Sequence, residues 1–378
     1  MSMLAFFPWL RISNPISVGD VRIMPYSRGR QPAGEGSKIQ EKMDTILQPY
    51  QESGDRPVVD AAVMQFAGSD SLRDLSEQEI AEALLLAELL TVCGLSSREY
   101  FGGGLQYCNR DNFQLVIQRF TEKDDLQWIR ITSRRRDGAT NNLTIRADLH
   151  IQRPDHVYNY LGISIDTPLL ESLLAARKNE DWDRFWESIL CFNLANTDNI
   201  ANAEQIEAVL IVSAFERLLG CSRGNEHDLA SKFVSTLVPA EEISISNCPR
   251  LNDPQVARRF QHCASVRDAW IRDFFRLRGD FAHGAMTPDY PAVWLLREHL
   301  LLSSFVFPLL LKTVLAVGKT YIITREDQDQ IDIFEHLACK DLFVPTGDTF
   351  HSDSWPWNQV TREILLKRLS ETLYKRQD

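Results

Sequence analysis

The chain has 378 residues, of which 44% are hydrophobic and 25% charged, and its formal net charge is −11. These values are typical of a folded globular protein and exclude a disordered or low-complexity chain. The length exceeds what one hydrophobic core usually organises, so we expect two domains. The acidic charge opposes unspecific binding to nucleic-acid phosphates, so any contact with RNA needs a local basic surface.

The cysteines and histidines indicate neither disulfides nor a metal site. Seven cysteines are spread along the chain without a C-x-x-C pair, which is typical of reduced thiols in a cytoplasmic protein. The eight histidines show no metal-ligand spacing, and we expect no metal and no other cofactor. The uncharged run 300–311 is shorter than the roughly 20 residues that a membrane span needs, so we predict a buried core helix and no contact with a membrane.

Residues 1–160 are predicted to form a mixed α/β domain with antiparallel strands, whose role the sequence does not reveal. Short apolar or alternating runs are separated by turn signals such as Asn14-Pro15 and Asp137-Gly138. One helix is predicted from Ser76, because Glu79 stands three residues later and completes the pattern of a capping box.

Residues 161–320 have helical periodicity, and we predict an all-α bundle. Asn202 with Gln205 resembles a capping box at the start of an almost entirely apolar, central helix that ends before Gly220. Asp253-Pro254 is predicted to begin the longest helix. Residues 321–378 are predicted to form a C-terminal extension with an amphipathic helix.

Arg278 and His283 lie five residues apart at the predicted end of the longest helix. On an unbroken helix this spacing corresponds to about 140° of rotation, and the two side chains would diverge. Gly279 and Gly284 permit a turn. We therefore predict that the helix ends near Gly279 and that the two side chains converge.

Charged residues around this pair could support it. Glu216 lies on the apolar face of the central helix and should seek a cation; Arg278 is our candidate, and exposure to water at the helix end is the alternative. Residues 250–278 contain seven arginines against three aspartates, a local charge of +4. Such a face, including Arg267 and Arg272, could bind phosphates, and a solvated helix face explains the charge equally well.

The segment Phe-Phe-Arg-Leu-Arg-x4-His-Gly, residues 274–284, resembles the signature of the HEPN superfamily. Residues 213–219, Ser-Ala-Phe-Glu-Arg-Leu-Leu, resemble a helix of the Apea-like HEPN group, and the likeness covers roughly residues 165–320. The position after the motif arginine is often Asn, Asp or His in the family. Here it is Gly279, followed by Asp280, which could substitute for the polar residue or only cap the turn.

This resemblance implies a metal-independent endoribonuclease with a role in bacterial defence or stress. His283 would be the general acid/base in the attack of a ribose 2′-OH on the adjacent phosphate, and Arg278 would stabilise the phosphoryl charge. Glu216, Asp280 and Arg276 would support the site. The products would be a 2′,3′-cyclic phosphate and a 5′-OH, and a homodimer would complete the site.

Two other functions are compatible with the same residues. The first is a non-catalytic HEPN module that binds a partner or ligand, in which Arg278 and His283 only stabilise the end of a helix. The second is a structural helical scaffold, which the acidic net charge favours.

Overall fold

The computed structural model describes residues 2–29, 43–52, 55–66, 73–102, 106–120, 128–129, 143–144, 150–157, 162–222, 224–284, 292–347 and 351–374. The chain is α+β with largely antiparallel strand pairing. It divides into two compact units. The first comprises residues 1–98 and 104–167, and the second comprises residues 99–103 and 168–378.

The first unit contains the β-strands. They are β1 (Ser2–Phe7), β2 (Ile16–Val18), β3 (Val21–Ser27), β4 (Tyr50–Glu52), β5 (Arg56–Pro57), β6 (Asp60–Phe66), β7 (Val116–Phe120), β8 (Trp128–Ile129), β9 (Leu143–Thr144) and β10 (Ile151–Gln152). Five of them form an antiparallel sheet in the order β2-β3-β6-β1-β7. β10 pairs with β4 in parallel, and β5 and β9 pair with β4 and β8 in antiparallel fashion.

Strand positions in the sheet follow from side-chain patterns. β3 alternates at its start between buried Val21 and Ile23 and exposed Arg22, as a strand with one solvent face does. The central strand β6 is buried on both faces between Ala61 and Met64. The predicted antiparallel character of this part of the chain is therefore present, although residues 121–127, 130–142 and 145–149 lie outside the described residues.

A 20-residue helix of the first unit, α1 (Glu77–Ser96), starts where the sequence predicted. The Ser76 hydroxyl accepts the Glu79 N–H at 3.2 Å, and the Glu79 carboxylate accepts the Ser76 N–H at 2.9 Å. This reciprocal pair satisfies backbone donors that the first helical turn leaves open.

The second unit is helical. Its helices are α2 (Thr167–Ala176), α3 (Trp182–Ala195), α4 (Glu204–Leu218), α5 (Glu226–Thr236), α6 (Pro254–Arg259), α7 (Val266–Ala282), α8 (Leu296–Val317), α9 (Arg325–Leu337) and α10 (Pro356–Tyr374). Short 3-10 turns cover Ile245–Asn247, Pro249–Leu251 and Ser352–Ser354.

α4 is the central helix of this unit, as its apolar sequence predicted. It packs against α3, α7 and α8. Phe215 on α4 contacts Phe233, Trp270 and Phe307 with ring centroids 5.7–6.3 Å apart. The helix ends before Gly220, whose φ of +60° is the left-handed conformation that favours glycine.

Two helix starts differ from the sequence prediction. The residue before α4 is Ala203, which has no side-chain acceptor and makes no cap. The predicted cap, Asn202, uses its amide to donate to the Thr197 hydroxyl at 2.7 Å. The helix that begins after Asp253 is also not continuous. α6 ends at Arg259, and α7 starts afresh where the Ser265 hydroxyl accepts the Asp268 N–H at 3.4 Å.

α8 is the one helix in the described part of the chain that is long and apolar enough to cross a membrane. Of its most apolar 18-residue window, 61% is buried inside the protein. The helix continues through Pro308 and carries buried charged residues, among them Glu298 and Lys312. Its burial is that of a core helix, as the sequence predicted.

Candidate functional site

α7 carries the residues of the predicted motif and continues past Gly279. The helix ends at Ala282, and His283 is its C-terminal cap, with its N–H donating to the Gly279 and Asp280 carbonyls at 3.1 and 3.2 Å. The left-handed residue is Gly284, with φ +88°. The predicted helix end near Gly279 is wrong, because the turn that glycine permits comes five residues later.

The continuous helix separates Arg278 from His283 within one chain. Five residues of α-helix turn the side-chain direction by about 140°. The convergence that we predicted for the two side chains depended on a turn at Gly279. Among the residues that the structure describes, Arg278 and His283 share no hydrogen bond or ion pair. The backbone thus presents them in different directions.

Arg278 forms an ion pair with Glu216, which joins α7 to α4. Its Nη2 lies 2.8 Å from Glu216 Oε2, and the two side chains are 16% and 17% exposed. The guanidinium also stacks on Phe275, with its carbon 4.5 Å from the ring centroid. Neither Arg278 Nη2 nor Glu216 Oε1 makes a well-aligned hydrogen bond. The pair therefore holds the arginine in place mainly by charge and stacking.

His283 is exposed at the end of α7. In the described ranges its imidazole has no hydrogen-bonding partner and no carboxylate partner. The next residues along the chain that the structure describes begin at 292. The ring is therefore open to solvent, and α7 fixes the backbone that carries it.

The two other supporting residues of the predicted site lie on the same helix. Arg276 donates from Nε and Nη2 to both carboxylate oxygens of Glu226, each at 2.8 Å. Burial would raise the pKa of Glu226, but the hydrogen bonds and charges of Arg276 and Arg272 outweigh burial and lower it. Asp280 is half-buried in the last turn of the helix. Arg276 thus serves a bidentate internal pair rather than the space around His283.

Arg267 and Arg272, the two candidate RNA contacts, are buried. Arg267 lies 3.3 Å from Glu335, and burial raises the pKa of Glu335 to about 7 despite that positive neighbour. Arg272 donates from Nε to Asp268 at 2.7 Å. Arg267 cannot reach an RNA phosphate without leaving the buried Glu335 carboxylate unpaired, which is costly. Arg272 would have to leave the half-buried Asp268. Their placement argues against a role in RNA contact.

The remaining arginines of residues 250–278 show the same use of charge. Arg250 donates to both oxygens of Glu298 at 2.9 and 2.6 Å, and Arg259 donates to Asp273 at 3.2 Å. Arg258 is exposed and has no ion pair among the described residues. The basic segment is therefore largely neutralised by carboxylates from other parts of the fold.

A buried histidine–aspartate pair joins α7 to α8, and the sequence did not reveal it. His299 Nε2 and Asp273 Oδ2 are 3.2 Å apart, and both side chains are fully buried. The imidazole stacks on Phe274 with centroids 4.7 Å apart. Burial lowers the pKa of His299, although Asp273 opposes this. Each of the two follows another charged residue, Arg272 or Glu298, so no local signal in the sequence paired them.

No metal site is evident in the described part of the chain. No group of three or more histidine, cysteine, aspartate or glutamate side chains there is placed to hold a metal ion.

No protein-family model, curated protein or solved structure matches this chain.

Proposed function

We propose that the helical unit carries a metal-independent endoribonuclease site of the HEPN type, with His283 and Arg278 as its catalytic residues. One observation carries the proposal. The exposed imidazole of His283, which has no partner among the described residues, lies five residues beyond Arg278. The Glu216 carboxylate already holds the Arg278 guanidinium in place. A structural histidine is usually packed or hydrogen-bonded, and His283 is neither within the described part of the chain.

The proposed reaction needs only these groups and the RNA. The His283 imidazole removes the proton of a ribose 2′-OH, whose oxygen attacks the adjacent phosphorus. The bond to the 5′-oxygen breaks, and an imidazolium returns a proton to that oxygen. Arg278 stabilises the negative charge on the phosphoryl oxygens. The products are a 2′,3′-cyclic phosphate and a 5′-OH.

The proposed site belongs to a homodimer. Because α7 is continuous through Gly279, Arg278 and His283 of one chain diverge by about 140°. Two copies packed through their α7 helices could place the imidazole of one beside the guanidinium of the other. A two-fold axis would then create two equivalent sites. A cytoplasmic location, inferred from the scattered cysteines, and a role in bacterial defence, which rests on the family resemblance, belong to the same proposal.

The second candidate function is a non-catalytic interaction module, and the arginine pairing favours it. Six of the seven arginines between residues 250 and 278 pair with carboxylates, in a chain of net charge −11. Few cations remain to attract RNA. This function predicts that the wild type does not cleave RNA and that replacing His283 does not change binding to the partner.

The test is RNA cleavage by the purified chain in the presence of EDTA. We expect His283→Ala to reduce the rate by roughly 100-fold or more, and Arg278→Ala by about 100-fold. His351→Ala changes another exposed histidine, and Arg217→Ala removes an arginine that pairs with Glu187 at the surface; both should cleave at the wild-type rate. Substrates with a 2′-deoxy sugar at the cleavage position should resist.

Two outcomes would reject the enzyme and favour the interaction module. One is the absence of cleavage by the wild type on both structured and single-stranded RNA. The other is equal cleavage by wild type and His283→Ala, which would indicate a contaminating nuclease. A 2′,3′-cyclic phosphate at the product end, identified by mass, distinguishes the proposed reaction from hydrolysis that yields a 5′-phosphate.

A further inference from the structure

Three half-buried aromatic side chains and an exposed arginine form a row in the helical unit. The guanidinium carbon of Arg297 lies 4.4 Å from the centroid of the Phe343 ring. The centroids of Phe343 and Phe101 are 6.0 Å apart, and those of Phe101 and Trp355 are 5.1 Å apart. Centroid distances of about 4.5–7 Å are those of aromatic rings in contact. We refer to these four residues as the aromatic row.

The aromatic row is fixed by packing and still reaches solvent. Trp357 is only 5% exposed, and its ring centroid lies 5.9 Å from that of Phe101. Phe101, Phe343 and Trp355 are all partly exposed, and Val344, next to Phe343 in the chain, is 62% exposed. The three rings are therefore held in place by a buried neighbour and remain open to a ligand.

Phe101 has an unusual backbone conformation. Its φ of +56° lies in the left-handed region, which is rare for a bulky side chain. The Asn358 side-chain amide donates to the Phe101 carbonyl at 3.1 Å and supports this conformation. Strained backbone persists where the surrounding structure fixes it, and it is concentrated at binding and catalytic sites. The strain at Phe101 is therefore consistent with a ring that is positioned for a ligand.

Arg297 has no carboxylate partner among the residues that the structure describes. In this it differs from the arginines between residues 250 and 278, of which six of seven pair with carboxylates. A guanidinium that stacks on a ring without an ion pair keeps its N–H donors for an anion from outside the chain. A ligand that matches the aromatic row therefore carries both flat rings and negative charge.

We propose that the aromatic row binds single-stranded RNA, with bases stacked on Phe343, Phe101 and Trp355 and a phosphate at Arg297. The proposal names the substrate class of the proposed ribonuclease and rests on that function. Successive bases of a single strand stack on successive aromatic side chains whatever their sequence, and an arginine adds a cation–π contact. Double-stranded RNA does not fit, because its bases already stack on one another.

Hydrogen bonds connect the aromatic row to α7, the helix that carries the proposed catalytic residues. The Asp273 carboxylate on α7 accepts the Trp294 N–H at 3.3 Å, and Arg297 follows Trp294 by three residues. Asp273 precedes Arg278 by five residues, which is about 7.5 Å along the helix. The row and the proposed catalytic residues therefore lie within reach of one strand of several nucleotides.

Binding by stacking predicts a weak dependence on salt. The chain has a net charge of −11, and Arg297 is the one cation that the row offers to a phosphate. One phosphate contact on a single strand corresponds to a slope of about −0.7 in the logarithm of affinity against the logarithm of salt concentration. A strand held mainly by phosphate contacts would give a several-fold steeper slope.

The experiment measures binding of a fluorescein-labelled 2′-O-methyl RNA of about 12 nucleotides to the full-length chain by fluorescence anisotropy. The 2′-O-methyl groups prevent attack by a 2′-OH, so binding is measured separately from cleavage. We expect the single strand to bind. The duplex of the same sequence, and an abasic strand with the same phosphates, should each bind at least about 10-fold more weakly.

Substitutions in the row separate stacking from charge. Arg297→Ala and Phe343→Leu should each weaken binding of the single strand about 10-fold. Phe343→Tyr keeps the ring and should bind as the wild type does, which distinguishes lost stacking from a damaged fold. Arg258→Ala removes another exposed arginine that has no ion pair among the described residues, and it should leave the affinity unchanged.

Three outcomes would overturn the proposal: no binding of the single strand, which would favour a peptide at the row; equal binding of the abasic strand; or unchanged affinity in both Arg297→Ala and Phe343→Leu. The ribonuclease is tested separately with unmodified RNA. Binding of the single strand without cleavage would reject the ribonuclease and leave the RNA site in place. Cleavage by the wild type, with affinity unchanged in both row variants, would reject the RNA site alone.

Discussion

Glu216 on α4 and Arg278 on α7 face each other across a helix–helix contact, with Oε2 and Nη2 2.8 Å apart. The carboxylate fixes the position of a guanidinium that would otherwise be a mobile side chain at the end of a helix. It does so without a well-aligned hydrogen bond on Nη2. The pair should therefore matter more for where Arg278 lies than for how stable the fold is.

We expect the coupling between Glu216 and Arg278 to be modest. A double-mutant cycle with Glu216→Gln and Arg278→Gln, followed by urea unfolding, should give about 1 kcal/mol, because neutral replacement removes a charge contact and few good hydrogen bonds. In the RNA cleavage assay, Glu216→Gln should lower the rate and leave product identity unchanged. A coupling above roughly 3 kcal/mol would contradict this and mark the pair as a main element of stability.

Arg250 and Glu298 should be coupled more strongly. Their side chains are only 10% and 2% exposed, and Glu298 also accepts the Leu295 and Leu342 N–H groups. Arg250→Met leaves a buried carboxylate without its cation and should cost about 3–5 kcal/mol of unfolding free energy. The matched control is Lys367→Met, which breaks a largely exposed pair with Glu241 and should cost less than about 1 kcal/mol. Similar losses for both variants would refute this ranking.

His299 should make the folded protein less stable in mild acid. Its folded pKa lies below the ordinary value of 6.5 because burial disfavours the imidazolium. As pH falls below 6.5 the unfolded chain binds a proton that the folded chain resists, so stability falls until the pH reaches the folded pKa. The contribution is at most about 1.4 kcal/mol per pH unit.

His299→Phe keeps an aromatic ring against Phe274 and removes this proton. The unfolding free energy of wild type and variant is measured from pH 7 to 5. The two slopes against pH should differ by up to about 1.4 kcal/mol per pH unit. Burial raises the pKa of Glu335 to about 7, so this residue adds stability at lower pH in both proteins. Only the difference between the two slopes therefore reports on His299. His351→Gln, which changes an exposed histidine, is the matched control. Equal slopes for wild type and His299→Phe would show that His299 carries no such linkage.

If the ribonuclease site is shared between two copies, inactive variants should complement each other. Equal amounts of His283→Ala and Arg278→Ala, unfolded together and refolded, should recover about a quarter of wild-type activity, because half of the dimers contain one intact site of two. Each variant refolded alone is the control. Failure to recover activity, with wild type recovering fully after the same treatment, would place both residues in one chain or exclude the dimeric site.

Local signals in the sequence determined several helix ends and the character of the core. The start of α1 follows from Ser76 and Glu79, and the end of α4 from Gly220, because capping and left-handed backbone depend on residues within a few positions. The central place of α4 followed from its apolar composition. The HEPN resemblance and the ribonuclease remain predictions that rest on residues 213–219 and 274–284.

The partners of the charged and reactive side chains were decided only by the tertiary structure. The sequence placed a helix end at Gly279 since glycine permits one, but nothing local forces it, and α7 continues to Ala282. Helix packing alone brings Asp273 and His299, which are far apart in sequence, to within 3.2 Å of each other. Such contacts depend on how helices pack, and a periodic pattern reports which face is buried but not what it meets.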